Sequence, residues 1–381
     1  MDSVTTSKTA IIIDLGSSAI KVGLGNQESP SLVFPNYIGK IKYPKIGWKN
    51  VELTEDERIS ATPKYFIGND CKKYFGVLKL NYPMNHGIFY NEDDISSIFE
   101  YINKNLEKDN ILISEHPILI SEPLLNPKKN KLLIAKLLFD KYKAKALIFA
   151  SQPILSLFST ASTSGIILES GDGVTQSCIC YDGYDVPSSF KRINFGGREI
   201  TEYLQLSLNK KGYPLMSSDG FQIVKNIKEE LCNCGNVENQ ISKYTLPDDS
   251  EIEIGDEKSK VTELLFDPSI NGYEYESIQS ILVNSLNQSN INIDLRSKLF
   301  GSIFLSGGNM KFKGMKERLH KEIKKLSPNN IKVGLHLSSN AENACWIGGS
   351  VISGLEAFKE MYVTSQDWVE KTESIIHVKT I

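Results

Sequence analysis

One pattern occurs twice in this chain. Ile11-Ile-Ile-Asp-Leu-Gly-Ser near the N-terminus is echoed by Ile166-Ile-Leu-Glu-Ser-Gly-Asp-Gly-Val-Thr in the middle. Each is an apolar, strand-like run that ends on an acidic Gly/Ser turn. Each is followed by a second strand, Lys21-Val-Gly-Leu-Gly in the first case and Ser177-Cys-Ile-Cys-Tyr in the second. Unbroken apolar runs of this length suit strands covered on both faces. Two such hairpins, one per half, predict two related lobes facing each other across a cleft. The length agrees, since 381 residues exceed what one core organises.

Strand-like and helix-like segments alternate throughout the chain, which argues for α/β architecture. Asn91 to Leu106 places Ile95, Ile98, Phe99, Ile102 and Leu106 on one helical face, with acidic residues in the first turn. Asn130 to Phe139 reads as a second helix, Phe221 to Leu231 as a third, and the stretch from Phe312 to Leu326 repeats the period. Tyr43 to Lys64 and the Asn-rich Cys232 to Lys243 lack periodicity and read as surface loops.

Composition narrows the function. A net charge of -3 offers nucleic acid or an anionic membrane no general attraction. The polar start, Met1 to Lys8, reads as neither a signal peptide nor a transmembrane span, and no stretch reaches the ~20 apolar residues of a membrane span. Six cysteines without a disulfide framework fit a reducing compartment. Two C-x-C pairs, Cys178/Cys180 and Cys232/Cys234, lack histidines at ligand spacing and read as small buried residues.

The turns carry the chemistry. A tight Gly/Ser turn exposes consecutive backbone N–H groups, and such a nest holds phosphate oxygens. Gly16, Ser17 and Ser18 would form one, and Gly171, Asp172, Gly173 and Val174 the other, so a phosphate chain would be held from both sides. Lys21 leaves the first turn within reach of the same phosphates. Asp14 and Asp172 suit Mg²⁺ held through water, because that ion keeps much of its hydration shell. Either turn alone would read as an ordinary bend; two on matching hairpins point to a ligand. Gly307-Gly308, between an apolar strand and the following helix, would let backbone approach a flat ligand. Lys228-Glu229 reads as an exposed charged pair.

Taken in order, these residues resemble the actin family over nearly the whole chain. Tyr82-Pro-Met-Asn-His-Gly-Ile, Glu115-His-Pro, Pro123-Leu-Leu-Asn-Pro-Lys, Gly197-Arg-Glu-Ile-Thr-Glu-Tyr-Leu, Ile227-Lys-Glu-Glu-Leu-Cys, Leu305-Ser-Gly-Gly and Trp346-Ile-Gly-Gly-Ser follow the family pattern. The resemblance implies an α/β, actin-like ATPase fold of two lobes and four subdomains around a central nucleotide cleft. The smaller lobe would comprise residues 1–158 and 345–381 with an inserted subdomain at about 36–82. The larger would span 159–344 with one at about 196–274. It further implies ATP or ADP with Mg²⁺ at Asp14, Ser17, Lys21 and Asp172, and adenosine beside Lys228, Glu229, Gly307 and Gly308. His86 falls at the family's sensor-loop histidine.

Three positions depart from the pattern near the chemistry. Glu169 stands where the family has a metal-facing Asp, and Gln176 where it has a His that orders the attacking water. Gln152 matches the family's water-positioning Gln but is followed by Pro153 instead of Ala. ATP binding with slow hydrolysis follows, because phosphoryl transfer depends on positioning. On the adenine side, Glu342 replaces a base-flanking Lys. Phe158, Ile347, Val351, Ile352 and Leu355 match the family's apolar groove, or simply core. The Phe266 to Tyr275 segment keeps the frame of the family's plug.

Within the family, Phe34-Pro-Asn-Tyr-Ile-Gly, Tyr82-Pro-Met, Leu246-Pro-Asp-Asp-Ser-Glu-Ile-Glu-Ile-Gly and the final His377-Val-Lys-Thr are most similar to centractin, the filament subunit of dynactin. That branch implies self-association into short filaments and actin-binding or dynactin-like partners in the cytoplasm and cytoskeleton, with neither direct nucleic-acid contact nor membrane insertion. The alternatives are a divergent conventional actin, a nuclear subunit of a chromatin-remodelling complex, and a small-molecule kinase. The last would need a catalytic carboxylate motif that the sequence does not offer.

Overall fold

The computed structural model describes residues 8–42, 65–235, 241–289, 291–371 and 373–379. The surface loop expected at Tyr43 to Lys64 lies outside these residues, as do positions 236–240 of the Asn-rich one.

Both hairpins form, and each is the heart of a sheet. Ile11–Leu15 runs antiparallel to Ala19–Leu24, with Asp14 opposite Lys21. Its other edge pairs in parallel with Pro117–Glu122, which pairs in parallel with Ala146–Ser151. The second half repeats this plan. Gly165–Ser170 is antiparallel to Thr175–Tyr181 and parallel to Ile303–Ser306, which is parallel to Leu335–Leu337. The sequence echo therefore extends beyond the hairpins to a shared strand order. Every residue of Ile11–Leu15 is buried, as an apolar strand covered on both faces should be.

Each sheet has its own apolar core. In the first, Ile11, Ile13 and Ile120 pack with Ile95, Ile98, Phe99 and Ile102 of the Glu92–Lys108 helix. That helix begins where Asn91 caps it, its side chain accepting the N–H of Asp93, and acidic residues in the first turn complement the helix dipole. In the second, Ile166 and Leu168 pack with Val224 and Ile227 of the Ser218–Leu231 helix. This helix starts before the expected Phe221 because Ser217 caps it, accepting the N–H of Gly220. The helix expected over Asn130 to Phe139 is Lys128–Lys136, continued by a wider π turn at Leu137–Lys141. Met315–Leu326 is the helix expected after Phe312.

Two helices join the halves. Gln152–Phe158 follows the last parallel strand of the first sheet, with Pro153 in its first turn, where no N–H is needed. Its Leu155 packs with Ile12, Leu119 and Trp346, while Ile154 and Leu157 pack with Ile167 and Cys178 of the second sheet. Across it lies Ala344–Ser353. At Gly348 an added Cβ would sit 1.7 Å from the Leu155 carbonyl oxygen, so the two backbones meet with no room for a side chain. Ile352 belongs to this core, whereas Val351 and Leu355 are exposed, so the apolar stripe is part core and part surface. All six cysteines are free and buried, and among the described residues no group of three or more His, Cys, Asp or Glu could hold a metal ion.

Candidate functional site

A cavity of about 620 Å³ opens between the two sheets. Every residue singled out for ligand or catalytic chemistry in the sequence lines it: Asp14, Gly16, Ser17, Ser18 and Lys21 from the first hairpin, Glu169, Gly171, Asp172, Gly173, Val174 and Gln176 from the second, and Gln152, Lys228, Glu229, Gly307 and Gly308 around them. The strand pairing explains this convergence. In each sheet the acidic turn follows the end of the central strand, and the joining helices place the two ends opposite each other.

The two turns touch. A Cβ added to Gly173 would lie 2.4 Å from the Ser17 hydroxyl, so glycine there permits the approach. Ser17 Oγ also accepts the N–H of Gly87 at 3.2 Å, and His86 Nδ1 lies 2.7 Å from the Gly173 carbonyl. His86 and Gly87 both have positive φ, 47° and 72°, and form the tight link between Met84–Asn85 and Ile88–Phe89. Arg192 clamps this link by donating to the carbonyls of His86 at 2.6 Å and Leu124 at 2.8 Å. At the far wall, Gly307 has φ 91° and an added Cβ would meet the Ser170 carbonyl at 2.2 Å. A Cβ on Gly308 would meet nothing within 4 Å. Backbone is therefore bare toward the cavity there.

Part of the charge inside the cavity is paired. Lys21 Nζ lies 2.9 Å from Asp14 and also donates to the Glu342 carbonyl. Burial alone would push the Asp14 carboxyl up, but the Lys21 ammonium and the Ser121 hydroxyl, 2.6 Å away, hold it below the usual carboxylate range. Burial and the nearby Asp14 charge push Glu169 up to about 7. Glu169 accepts from Gln176 Nε2 at 3.1 Å. The same Nε2 donates to Gln152 Oε1 at 3.3 Å, and Gln176 Oε1 accepts the N–H of Leu124 at 2.8 Å. Gln152 Nε2 in turn donates to Ser121 Oγ at 3.2 Å and to the Leu15 carbonyl at 3.4 Å. One hydrogen-bonded chain thus runs from the second hairpin to the first.

One expectation is corrected. Lys228 is not an exposed charge: it is 3% exposed, its ammonium donates to the Gly197 carbonyl at 2.8 Å, and burial lowers its pKa. The signal was available, because position 228 lies four residues after buried Val224 and one after buried Ile227 on the same helix. Only Glu229 of that pair is exposed. At the cavity rim Glu342 pairs with Lys311 at 2.8 Å. Lys225 was missed altogether. It lines the cavity and donates to Ser18 Oγ.

A family model described as actin matches residues 5–381. The chain belongs to the actin family. An actin-like protein of Neurospora crassa is 35% identical over 384 residues, covering 97% of each chain. Actin-family proteins bind a nucleotide with a divalent metal, and the donor set of this actin-family cavity fits both. Glycines keep two turns bare and in contact, lysines approach from three elements, and the carboxylates of Asp14 and Asp172 line the cavity outside any closed protein cage, the kind of hard oxygen such a metal would take. No helix among the described residues of this family member is long and apolar enough to cross a membrane.

Proposed function

We propose that this actin-family chain binds ATP with Mg²⁺ in the cavity, hydrolyses it slowly, and assembles as an actin-related cytoskeletal protein of the centractin kind. The observation that carries the first part is the contact of the two Gly/Ser turns, Ser17 against Gly173, with the Asp14–Lys21 pair beside them. The turns at Gly16–Ser18 and Gly171–Val174 would hold the phosphates, and Asp14 and Asp172 the metal through water. Mg²⁺ would neutralise phosphate charge and ATP would supply the phosphoryl group. Gly307, Gly308, Lys228 and Glu229 would flank the nucleoside.

Slow hydrolysis rests on the Gln152–Gln176 link. Orienting a water for attack needs a free, correctly aimed acceptor. Here the amide of Gln152 gives its N–H groups to Ser121 and Leu15, and its oxygen already accepts from Gln176. Gln176 is itself held by Glu169 and Leu124. One lone pair of the Gln152 oxygen stays open, but these bonds fix where it points, and phosphate release by the assembled protein is expected to be about 10- to 100-fold slower than that of assembled muscle actin. Equal rates in a side-by-side phosphate-release assay would defeat this part.

The centractin assignment is supported by the Phe34 to Gly39, Leu246 to Gly255 and His377 to Thr380 segments, and it brings with it short filaments and dynactin-like partners. Pelleting and negative-stain microscopy of the pure protein with ATP and Mg²⁺ test it. Short filaments of uniform length support it. Long filaments mean a divergent actin, and none a specialised subunit that stays monomeric.

A further inference from the structure

The cavity's lysines are not equally satisfied. Lys21 has the carboxylate of Asp14 at 2.9 Å, and Lys311 has that of Glu342 at 2.8 Å. Lys225 differs. Its side chain is only 16% exposed, yet its close contact is the neutral hydroxyl of Ser18, and the carboxylate nearest to it, Glu229, is 3.9 Å away and itself 58% exposed. An ammonium drawn out of water without a close anion is costly. A cavity wall tolerates such a group when a ligand completes the pair.

The position of Lys225 says which part of a ligand would do so. It lies on the Ser218–Leu231 helix, whose Val224 and Ile227 pack into the second sheet's core. Ser18, by contrast, belongs to the turn of the first hairpin. Lys225 therefore reaches across the cavity, from one half of the molecule to the phosphate-holding turn of the other. Lys228 sits one turn further along the same helix, deeper and tied to Gly197.

We infer that Lys225 is a second cation for the phosphate chain of a nucleoside di- or triphosphate, and that its reach across the cavity slows escape of the bound nucleotide. This rests on the reading of the cavity as a nucleotide site. An anion seated at the first turn would contact Lys21 and Lys225 from opposite halves, so release would require the halves to part or the contact to break. The Ser18 hydroxyl marks the position of the ammonium, while the turn's own hold on a phosphate comes from its backbone N–H groups.

The test is the dissociation rate of a fluorescent ATP analogue, chased with excess ATP, from the full chain and three variants. Lys225→Met should release the analogue about tenfold faster, Lys225→Arg within about threefold of wild type because the charge is kept, and Ser18→Ala clearly less fast than Lys225→Met, because it leaves the turn's backbone N–H groups and the ammonium in place. Thermal unfolding without nucleotide should leave Lys225→Met no less stable than wild type, since it removes a poorly paired charge. Wild-type release from Lys225→Met would overturn the inference. So would equal losses in the Met and Arg variants accompanied by lower stability, which mean a packing role, or a Ser18→Ala effect as large as that of Lys225→Met, which means the hydrogen bond alone matters. A wild-type chain that retains no analogue overturns the nucleotide reading beneath it.

Discussion

Gly348→Ala should destabilise this protein by about 3 kcal/mol or more, although alanine is the better helix former. Position 348 lies inside the Ala344–Ser353 helix, where propensity alone favours alanine by about 1 kcal/mol. The contact decides otherwise. The new Cβ would stand 1.7 Å from the Leu155 carbonyl oxygen, and that atom is backbone in the facing helix, so it cannot swing away. Relief requires separating the two helices that join the halves. Urea unfolding of the variant, with Gly76→Ala as a control at a glycine with nothing within 4 Å, checks this. A Gly348→Ala variant as stable as the control would show that the helices are not packed as described.

Lys21→Met should also cost several kcal/mol, on the order of 3–5, because it strands one member of a buried ion pair. Asp14 is 4% exposed and would retain the Ser121 hydroxyl but no cation at 2.9 Å. The pH dependence gives the mechanism away. In the wild type the Asp14 pKa is lowered, so its contribution to stability is present above the ordinary carboxylate pKa and is lost as pH falls through the lowered value. Without Lys21, burial dominates and favours the protonated acid, so the variant should recover stability relative to wild type as pH falls. Adding Asp14→Asn should restore part of the loss at pH 7. Guanidine or urea midpoints of the three proteins at neutral and mildly acidic pH decide the matter. A Lys21→Met variant matching wild type at pH 7 contradicts the account.

Much of this architecture can be read from the sequence because it is written locally. The apolar runs at Ile11 and Ile166, the acidic Gly/Ser turns and the helical period from Ile95 to Leu106 are short-range signals, and they place the sheets and the cavity walls. What escapes is contact between residues far apart in the chain. Gln152 and Gln176 each read as single departures or matches, and only the fold shows that their amides bind one another. Glu342 reads as a charge reversal at the adenine side until Lys311 is found beside it. Lys225 carries no motif, and its meaning comes from reaching Ser18 across the cavity. Lys228 is an intermediate case, where helical phase points inward while the habit of treating Lys-Glu as surface points out.

Isothermal titration of ATP into the full chain, with Mg²⁺ and then with excess EDTA, tests whether the facing turns at Asp14 and Asp172 form a nucleotide site. Saturable binding of one ATP per chain, weakened about tenfold or more when Mg²⁺ is removed, is the predicted result. No measurable binding at millimolar ATP and Mg²⁺, with the protein shown to be folded, would contradict it.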